Sequence, residues 1–486
     1  MTSDWIFGAF FFAGLLLLVF ISEKIYKAAP DKNESIRKAV HVTTGAAIML
    51  TPLLFHSKWP LLAISSVFFL LNFWAIRRKH LASYNFTKRA SWGTAYYPLA
   101  FMILLLAFWD EQKNILFLSF AIMAFADPVA GTIGVTSPES GVLKLPWDRK
   151  SQRGAFAMFV ASFIILLIGS RFFETEWAPA ILASFTIAGI ATAIELLSWK
   201  GSDNLTAPLF VAASLYFAYS PETQNSFFVG TFLAAIAASG GYFARFLDLS
   251  GALGAFLIGV FIFGAGGSTF TIPILLFFVL SSLLSKLKER LKGNDEIAEK
   301  GGRRDVKQVF ANGLAPALIA LSAPFLDFEL SFLIFLGAVA AATADTWATE
   351  IGMIFSDKPR SILTLKPVPT GASGGVTFAG TMGAFLGASV IAFSGVVMYP
   401  QLDGFALAWV VFAGIAAQFL DSFLGATLQN KRRCTACGRM TERATHCGET
   451  TIHSSGWRWM DNDAVNMLCT AFGALVVMAA HFGAFV

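Results

Sequence analysis

Apolar runs of about 17–22 residues, close to the ~20 that cross a bilayer as helix, recur from one end of the chain to the other. The runs are continuous and do not alternate in polarity, which excludes a porin-like barrel of ~10-residue strands. About sixteen segments qualify, so the pattern predicts an all-α, polytopic integral membrane protein. Composition agrees: 56% of the 486 residues are hydrophobic and 14% charged, against ~45–50% and ~25% in soluble domains. The first run, Trp5–Ile21, follows MTSD, which lacks the basic region and small-residue cleavage site of a secretory signal. It reads as a retained helix.

Charge adds sidedness. If every run crosses, the loops 23–38, 77–93, 136–153, 198–205, 244–251, 286–307, 352–373 and 430–460 share one face. They hold 33 of the 36 Lys and Arg, and the other loops hold only Lys58, Lys113 and Arg171. Basic loops mark the cytoplasmic side, so both termini are expected outside. The net charge of +5 is then a sidedness signal and not a nucleic-acid footprint. It makes that face attractive to anionic headgroups and phosphates.

A motif repeats along the chain. AFADPVAGTIG (124–134) and ATADTWATEIG (342–352) share A-x-A-D-x-x-A-x-x-I-G. Asp127 is followed by RKSQRGAF (149–156), Glu195 and SDNLTAP (202–208). Asp345 is followed by PTGASGGVT (369–377), Asp421 and MDNDAVN (460–466). The shared order predicts two homologous domains in parallel orientation, residues 1–225 and 226–486, the second carrying a polar cytoplasmic insert at 430–460. The charged stretch 285–305 suits an exposed connector.

A carboxylate within a membrane span costs ~2.5–3.5 kcal/mol on insertion scales and usually marks a working site; the bland alternative is an Asp paired to a lysine on the next helix. Small residues around Asp127 and Asp345 permit close approach of a neighbour or ligand. Arg149-Lys150-Ser151-Gln152-Arg153-Gly154 gathers cations before a helix start and suits a phosphate chain. Thr370, Gly371, Ser373, Gly374 and Gly375 offer backbone N–H groups that can cradle one. Asp203-Asn204 and Asp461-Asn462 read either as helix caps or as hard oxygen ligands for Mg²⁺; Asp127, Asp345 and Glu350 complete the candidate Mg²⁺ sets. His41, after Arg37 and Lys38, is a proton acceptor or an interfacial packing residue. Cys434, Cys437, His446 and Cys447 have donors suited to Zn²⁺, although eight residues between Cys437 and His446 is short for a common finger.

These motifs resemble known families. RKAVHVTTG (37–45), GTAYYP (93–98), ADPVAGTIG, KSQRGAFAMF (150–159), Glu195 and DNLTAP (203–208) are similar to the phytol and dolichol kinases, membrane enzymes that phosphorylate isoprenoid alcohols, typically from CTP. RRDVKQVFANG (303–313), ADTWATEIG, PVPTGASGGVT, DSFLGATLQ (421–429) and DNDAVN resemble a membrane family that includes the plant phytyl-phosphate kinase. The resemblance implies a bifunctional kinase that makes the monophosphate and then the diphosphate. It implies Mg²⁺ on Asp127 and Asp203, with Lys150 and Arg153 neutralising phosphoryl charge and His41 or Glu195 taking the hydroxyl proton. In the second half it implies Asp345 and Asp421 as catalytic carboxylates, with Arg303, Asn462 and Asn466 on substrate and Lys307 on the acceptor phosphate. Partners would be a nucleoside triphosphate, the isoprenoid alcohol, its monophosphate and membrane lipid. A lipid-phosphate cytidylyltransferase needs the same groups, and a secondary transporter with parallel repeats is the alternative of another class.

Overall fold

The computed structural model describes residues 2–28, 33–78, 91–138, 141–147, 149–292, 303–355 and 358–483. The central part of the charged connector, 293–302, lies outside them. The fold is all-α, and twelve helices among the described residues are long and apolar enough to cross a membrane. The sequence expectation of about sixteen also admits shorter or more polar segments, such as Gly93–Phe108. Many large apolar side chains stay exposed on the helices, including Phe10, Leu70 and Phe243, as a surface facing hydrocarbon allows.

The chain divides into two compact units, Met1–Asn225 and Ser226–Val486. The first contains α1 (Thr2–Ala28), α2 (Asn33–Leu54), α3 (Trp59–Arg78), α4 (Gly93–Phe108), α5 (Lys113–Ala121) and α6 (Asp127–Val135). A hairpin of β1 (Val142–Lys144) and β2 (Arg149–Ser151) leads to α7 (Gln152–Gly169), α8 (Trp177–Leu197) and α9 (Asp203–Tyr219). A π-helical turn, Ile122–Ala126, joins α5 to α6 within one span. Single π turns interrupting an α-helix are frequent at functional sites.

The second unit holds α10 (Gln224–Phe243), α11 (Leu249–Lys292), α12 (Val306–Ser322) and α13 (Phe328–Phe355). A two-residue hairpin, β3 (Arg360–Ser361) with β4 (Gly375–Val376), precedes α14 (Phe378–Met398) and α15 (Gly404–Thr427). The polar insert forms β5 (Lys431–Arg433), β6 (Met440–Thr441), β7 (Thr445–His446), β8 (Glu449–Thr450) and β9 (Ile452–Ser455) before α16 (Asn462–Gly483). α13 is the core helix: its stretch Phe335–Ala342 is buried throughout.

At 44 residues α11 would be about 66 Å long if straight, twice a bilayer's hydrocarbon core. It breaks at Gly267, whose φ of 64° favours a residue without Cβ. The two ends meet again: Lys286 Nζ donates to the Ala244 carbonyl at 2.5 Å and lies 4.3 Å from the Phe246 ring. The helix therefore doubles back.

Candidate active site

In the first unit the conspicuous residues converge at the end of the helices that the basic loops join. One oxygen from each of Asp127, Glu195 and Asp203 falls within 4.8 Å of the others. Asp127 opens α6, Glu195 sits in the last turn of α8, and Asp203 opens α9. Lys150 Nζ donates to Glu195 Oε1 at 2.7 Å and to Ser198 Oγ at 2.8 Å. Burial pulls the Lys150 ammonium down, but the charge and hydrogen bond of Glu195, helped by Asp203 and Asp127, outweigh it and raise it above the usual lysine value. Among the described residues Lys150 is the cation in contact with these three carboxylates, while Arg37 and Lys38 act on Asp127 from further off. Asp203 Oδ1 is moreover buried without a hydrogen-bond partner among the described residues, so Asp203 is no simple cap. A hard divalent cation fits this donor set.

The π turn explains how His41 enters. Asp127 N–H bonds to the Ile122 carbonyl, five residues back. The next such bond would need the N–H that Pro128 lacks, so the Met123 carbonyl is left open. His41 Nε2 takes it at 2.8 Å and lies 3.5 Å from Asp127 Oδ2. A carbonyl only accepts, so Nε2 carries the proton and Nδ1 is the basic nitrogen. Tyr97 packs edge-on against His41 at 5.5 Å, its buried hydroxyl without a partner among the described residues. Sequence reading quoted GTAYYP but passed over this tyrosine. Gly45 lets α2 approach the π turn, since a Cβ there would stand 2.6 Å from Ala124 Cβ.

Other first-half expectations change. Gly154 does not offer a free N–H to phosphate, because Ser151 Oγ accepts it as the N-cap of α7 at 3.0 Å. Arg153 is exposed and donates to the Thr136 carbonyl at 3.3 Å, away from the carboxylate cluster. Arg37 forms a two-pronged pair with Glu34, at 2.7 and 3.2 Å, and Lys38 reaches Thr132 Oγ1 at 3.2 Å. Asn204 packs against Gly93, where a Cβ would meet Asn204 Nδ2 at 2.4 Å. This contact seats GTAYYP on DNLTAP.

The second unit encloses a cavity of ≈ 690 Å³. Asp345, Asp421, Glu442 and Asp463 line it with Arg245, Lys286, Lys288, Arg303 and Arg304. Thr370, Gly371, Ser373, Gly374, Gly375, Asn462 and Asn466 line it too. Glu350 keeps its place at the cavity, whereas Asp461 and Lys307 take other roles. Glu350 Oε1 accepts from Ser285 Oγ at 2.6 Å and its Oε2 lies 3.6 Å from Lys288 Nζ, so it meets a lysine of α11 as Glu195 meets Lys150. Asp461 lies outside the wall and caps α16, accepting from Ala464 N–H at 2.9 Å; Asp463, two residues on, is the acidic residue facing the cavity. Lys307 also lies outside, because the phase of α12 presents Gln308 and Asn312. The Gly375 N–H bonds the Ala372 carbonyl at 3.1 Å and cannot cradle a phosphate. Gly374, with φ 84°, packs on Ala426, where a Cβ would stand at 2.6 Å.

One helix crossing recurs in both units. At Gly134 a Cβ would meet Ser151 Oγ at 3.1 Å and Gly154 Cα at 3.6 Å; at Gly352 it would meet Thr377 Oγ1 at 3.0 Å and Gly380 Cα at 3.4 Å. Thr377 caps α14 as Ser151 caps α7. The counterpart of Gly154 is thus Gly380, three residues beyond the PTGASGGVT stretch. Gly380→Ala sets its Cβ 2.8 Å from the Ala348 carbonyl oxygen, backbone that cannot retreat. It should cost about 1–3 kcal/mol, read as a lower melting temperature in detergent. Gly134→Ala, facing a hydroxyl that can rotate, should cost less.

The chain's relatives agree with the membrane architecture. Residues 231–474 match the family described as integral membrane protein DUF92. The uncharacterized membrane protein MJ0933 of Methanocaldococcus jannaschii is 33% identical over 191 residues, 39% of this chain and 77% of that protein. Protein PGR of Arabidopsis thaliana is 30% identical over 281 residues, 52% of this chain and 96% of that protein. The phytol kinase of Synechocystis is 26% identical over 194 residues, 40% of this chain and 82% of that enzyme. No solved structure matches significantly. With the family matched over half of its length and PGR covered almost end to end, the chain belongs to the DUF92 family of integral membrane proteins.

Proposed function

We propose that the chain is a bifunctional kinase of isoprenoid alcohols, working at the basic, cytoplasmic face of the membrane. The observation that carries this reading is the Asp127–Glu195–Asp203 cluster beside Lys150, a donor set that fits a divalent cation. Similarity to a phytol kinase supports a kinase-type transferase. Phosphoryl transfer needs little covalent help from protein; it rests on positioning and charge neutralisation. Mg²⁺ held by Asp127, Glu195 and Asp203 would supply neutralisation of a nucleoside triphosphate, CTP by the resemblance. Lys150 orients Glu195. His41, moored through Nε2, presents Nδ1 as acceptor for the alcohol proton. The isoprenoid tail stays among apolar helices, so the acceptor need not leave the bilayer.

The second unit is read as the site that adds the next phosphate. Its cavity lies within the ~300–1,000 Å³ of small-molecule sites, and its basic wall suits two phosphorylated substrates. No histidine lines it, which fits an acceptor that is already an anion and needs no strong base.

Purified protein in detergent, labelled CTP and phytol or geranylgeraniol test the proposal. Asp127→Ala should abolish monophosphate formation yet leave conversion of supplied monophosphate intact, and Asp345→Ala should do the reverse. If both folded variants lose both steps equally, the division of labour is wrong. Release of pyrophosphate in place of CDP would identify a cytidylyltransferase. Labelling of a cysteine at position 127 from the outer face would favour transport.

A further inference from the structure

The insert between α15 and α16 has almost nothing of its own to bury. From residue 430 to 460 only Cys434, Thr441, Thr451 and Met460 are buried, and Met460 belongs to the core packed around Val465 and Cys469. Short strands paired two or three residues at a time do not hold a fold without a core. Segments of this size rely on a staple. No disulfide closes this one: Cys434, Cys437 and Cys447 are all free thiols.

Four side chains stand where a staple would be. Cys434 Sγ, Cys437 Sγ, Cys447 Sγ and a His446 ring nitrogen all lie within 4.8 Å of one another. His446 Nδ1 is 3.5 Å from Cys437 Sγ and 3.2 Å from Cys447 Sγ. With Zn–S ≈ 2.3 Å and Zn–N ≈ 2.0–2.1 Å, the N···S edge of a zinc tetrahedron is about 3.6 Å.

The backbone prepares the same arrangement. The Cys434 sulfur lies 3.5 Å from the His446 carbonyl oxygen, and Gly438 N–H bonds the Cys434 carbonyl at 3.0 Å. Gly438, at φ 73°, lets the chain turn directly after Cys437, and Cys447 and Gly448, at 54° and 80°, turn the β7–β8 hairpin. Two tight turns thus bring Cys-x-x-Cys, near the start of the insert, together with His-Cys at its middle.

We propose that Cys434, Cys437, His446 and Cys447 bind one structural zinc ion that staples the insert. Four protein ligands leave no open position, so the ion acts in folding and not as a Lewis acid. The stapled segment has a task in the second unit: its Glu442 accepts a hydrogen bond from Ser373 Oγ and lines the cavity. Zinc holds the arm that delivers this carboxylate.

The test uses the full chain purified under reducing conditions, with metal content measured by mass spectrometry and zinc itself as the titrant. Expected is about one zinc per chain, lost in Cys437→Ser and Cys447→Ser but kept in Cys469→Ala, whose thiol lies in α16 outside the cluster. Because a ligand variant can misfold, the wild type is also stripped and reloaded with Co²⁺. Thiolate-to-metal charge-transfer bands should appear, and trypsin cleavage at Arg432, Arg433, Arg439 and Arg443 should fall on reloading. A reduced chain that carries no zinc and takes up none, or a Cys437–Cys447 disulfide in its place, overturns the proposal. Neither result touches the kinase reading.

Discussion

Asp127→Asn is expected to abolish alcohol phosphorylation while making the metal-free protein more stable. Activity should fall by roughly 10³-fold or more, the scale on which phosphoryl transfer loses a key electrostatic partner. The stability gain follows from crowding. Carboxylate oxygens within 4.8 Å of one another repel, and among the described residues Lys150 is the cation in contact with them. Two like charges at that separation repel by about 3 kcal/mol at an effective dielectric of ~20. Neutralising one should therefore raise the melting temperature in EDTA, by a gain on the order of 1 kcal/mol once partial solvation is allowed for. Added Mg²⁺ should stabilise the wild type and leave Asp127→Asn largely unmoved, since only a state that binds a ligand gains from it. If the variant melts lower in EDTA, or responds to Mg²⁺ as the wild type does, the cluster is not a cation seat.

Lys150→Met is expected to be the most destabilising single change in the first unit. It leaves Glu195 without its contacting counter-charge and Ser198 without a donor. Breaking a buried pair by removing one partner costs about 3–5 kcal/mol; the low end applies, because the two side chains keep 19% and 16% exposure. Glu195→Gln in the same background should recover much of the loss, although it removes a second charge. A double-mutant cycle on thermal unfolding reads this directly. The pH dependence has a definite sign. Lys150 is raised in the folded state, so its contribution is complete at neutral pH and is lost only as pH climbs through that raised value. Unchanged stability in Lys150→Met would show that the ion pair is solvated and carries no weight.

Sequence patterns made the span-forming helices and the first cluster readable, for a physical reason. Asp127, Glu195 and Asp203 stand out because each is a carboxylate next to long apolar runs, and the energetic penalty singles them out. Their convergence was legible only as order along the chain. The roles of glycines were not. Gly154 in a cationic loop looks like a phosphate cradle, but its value lies in lacking a Cβ at a helix crossing. Asp461 and Asp463 differ by two positions, and only the helix start of α16 decides which one caps and which faces the cavity. Lys307 failed for a related reason: one step along α12 turns a side chain by about 100°. That Glu350 meets Lys288 was not legible either, because the lysine comes from a distant stretch of the chain. The open Met123 carbonyl needed a π turn that Pro128 alone does not announce.

The break in α11 decides which charges meet. A straight rod of that length would deliver its cationic tail to the face opposite the one it left. By reversing at Gly267 it returns toward its own start, and Arg245 and Lys288 finish on one shore of the same cavity. A single residue that lacks a side chain thus decides which two stretches of the chain share that wall.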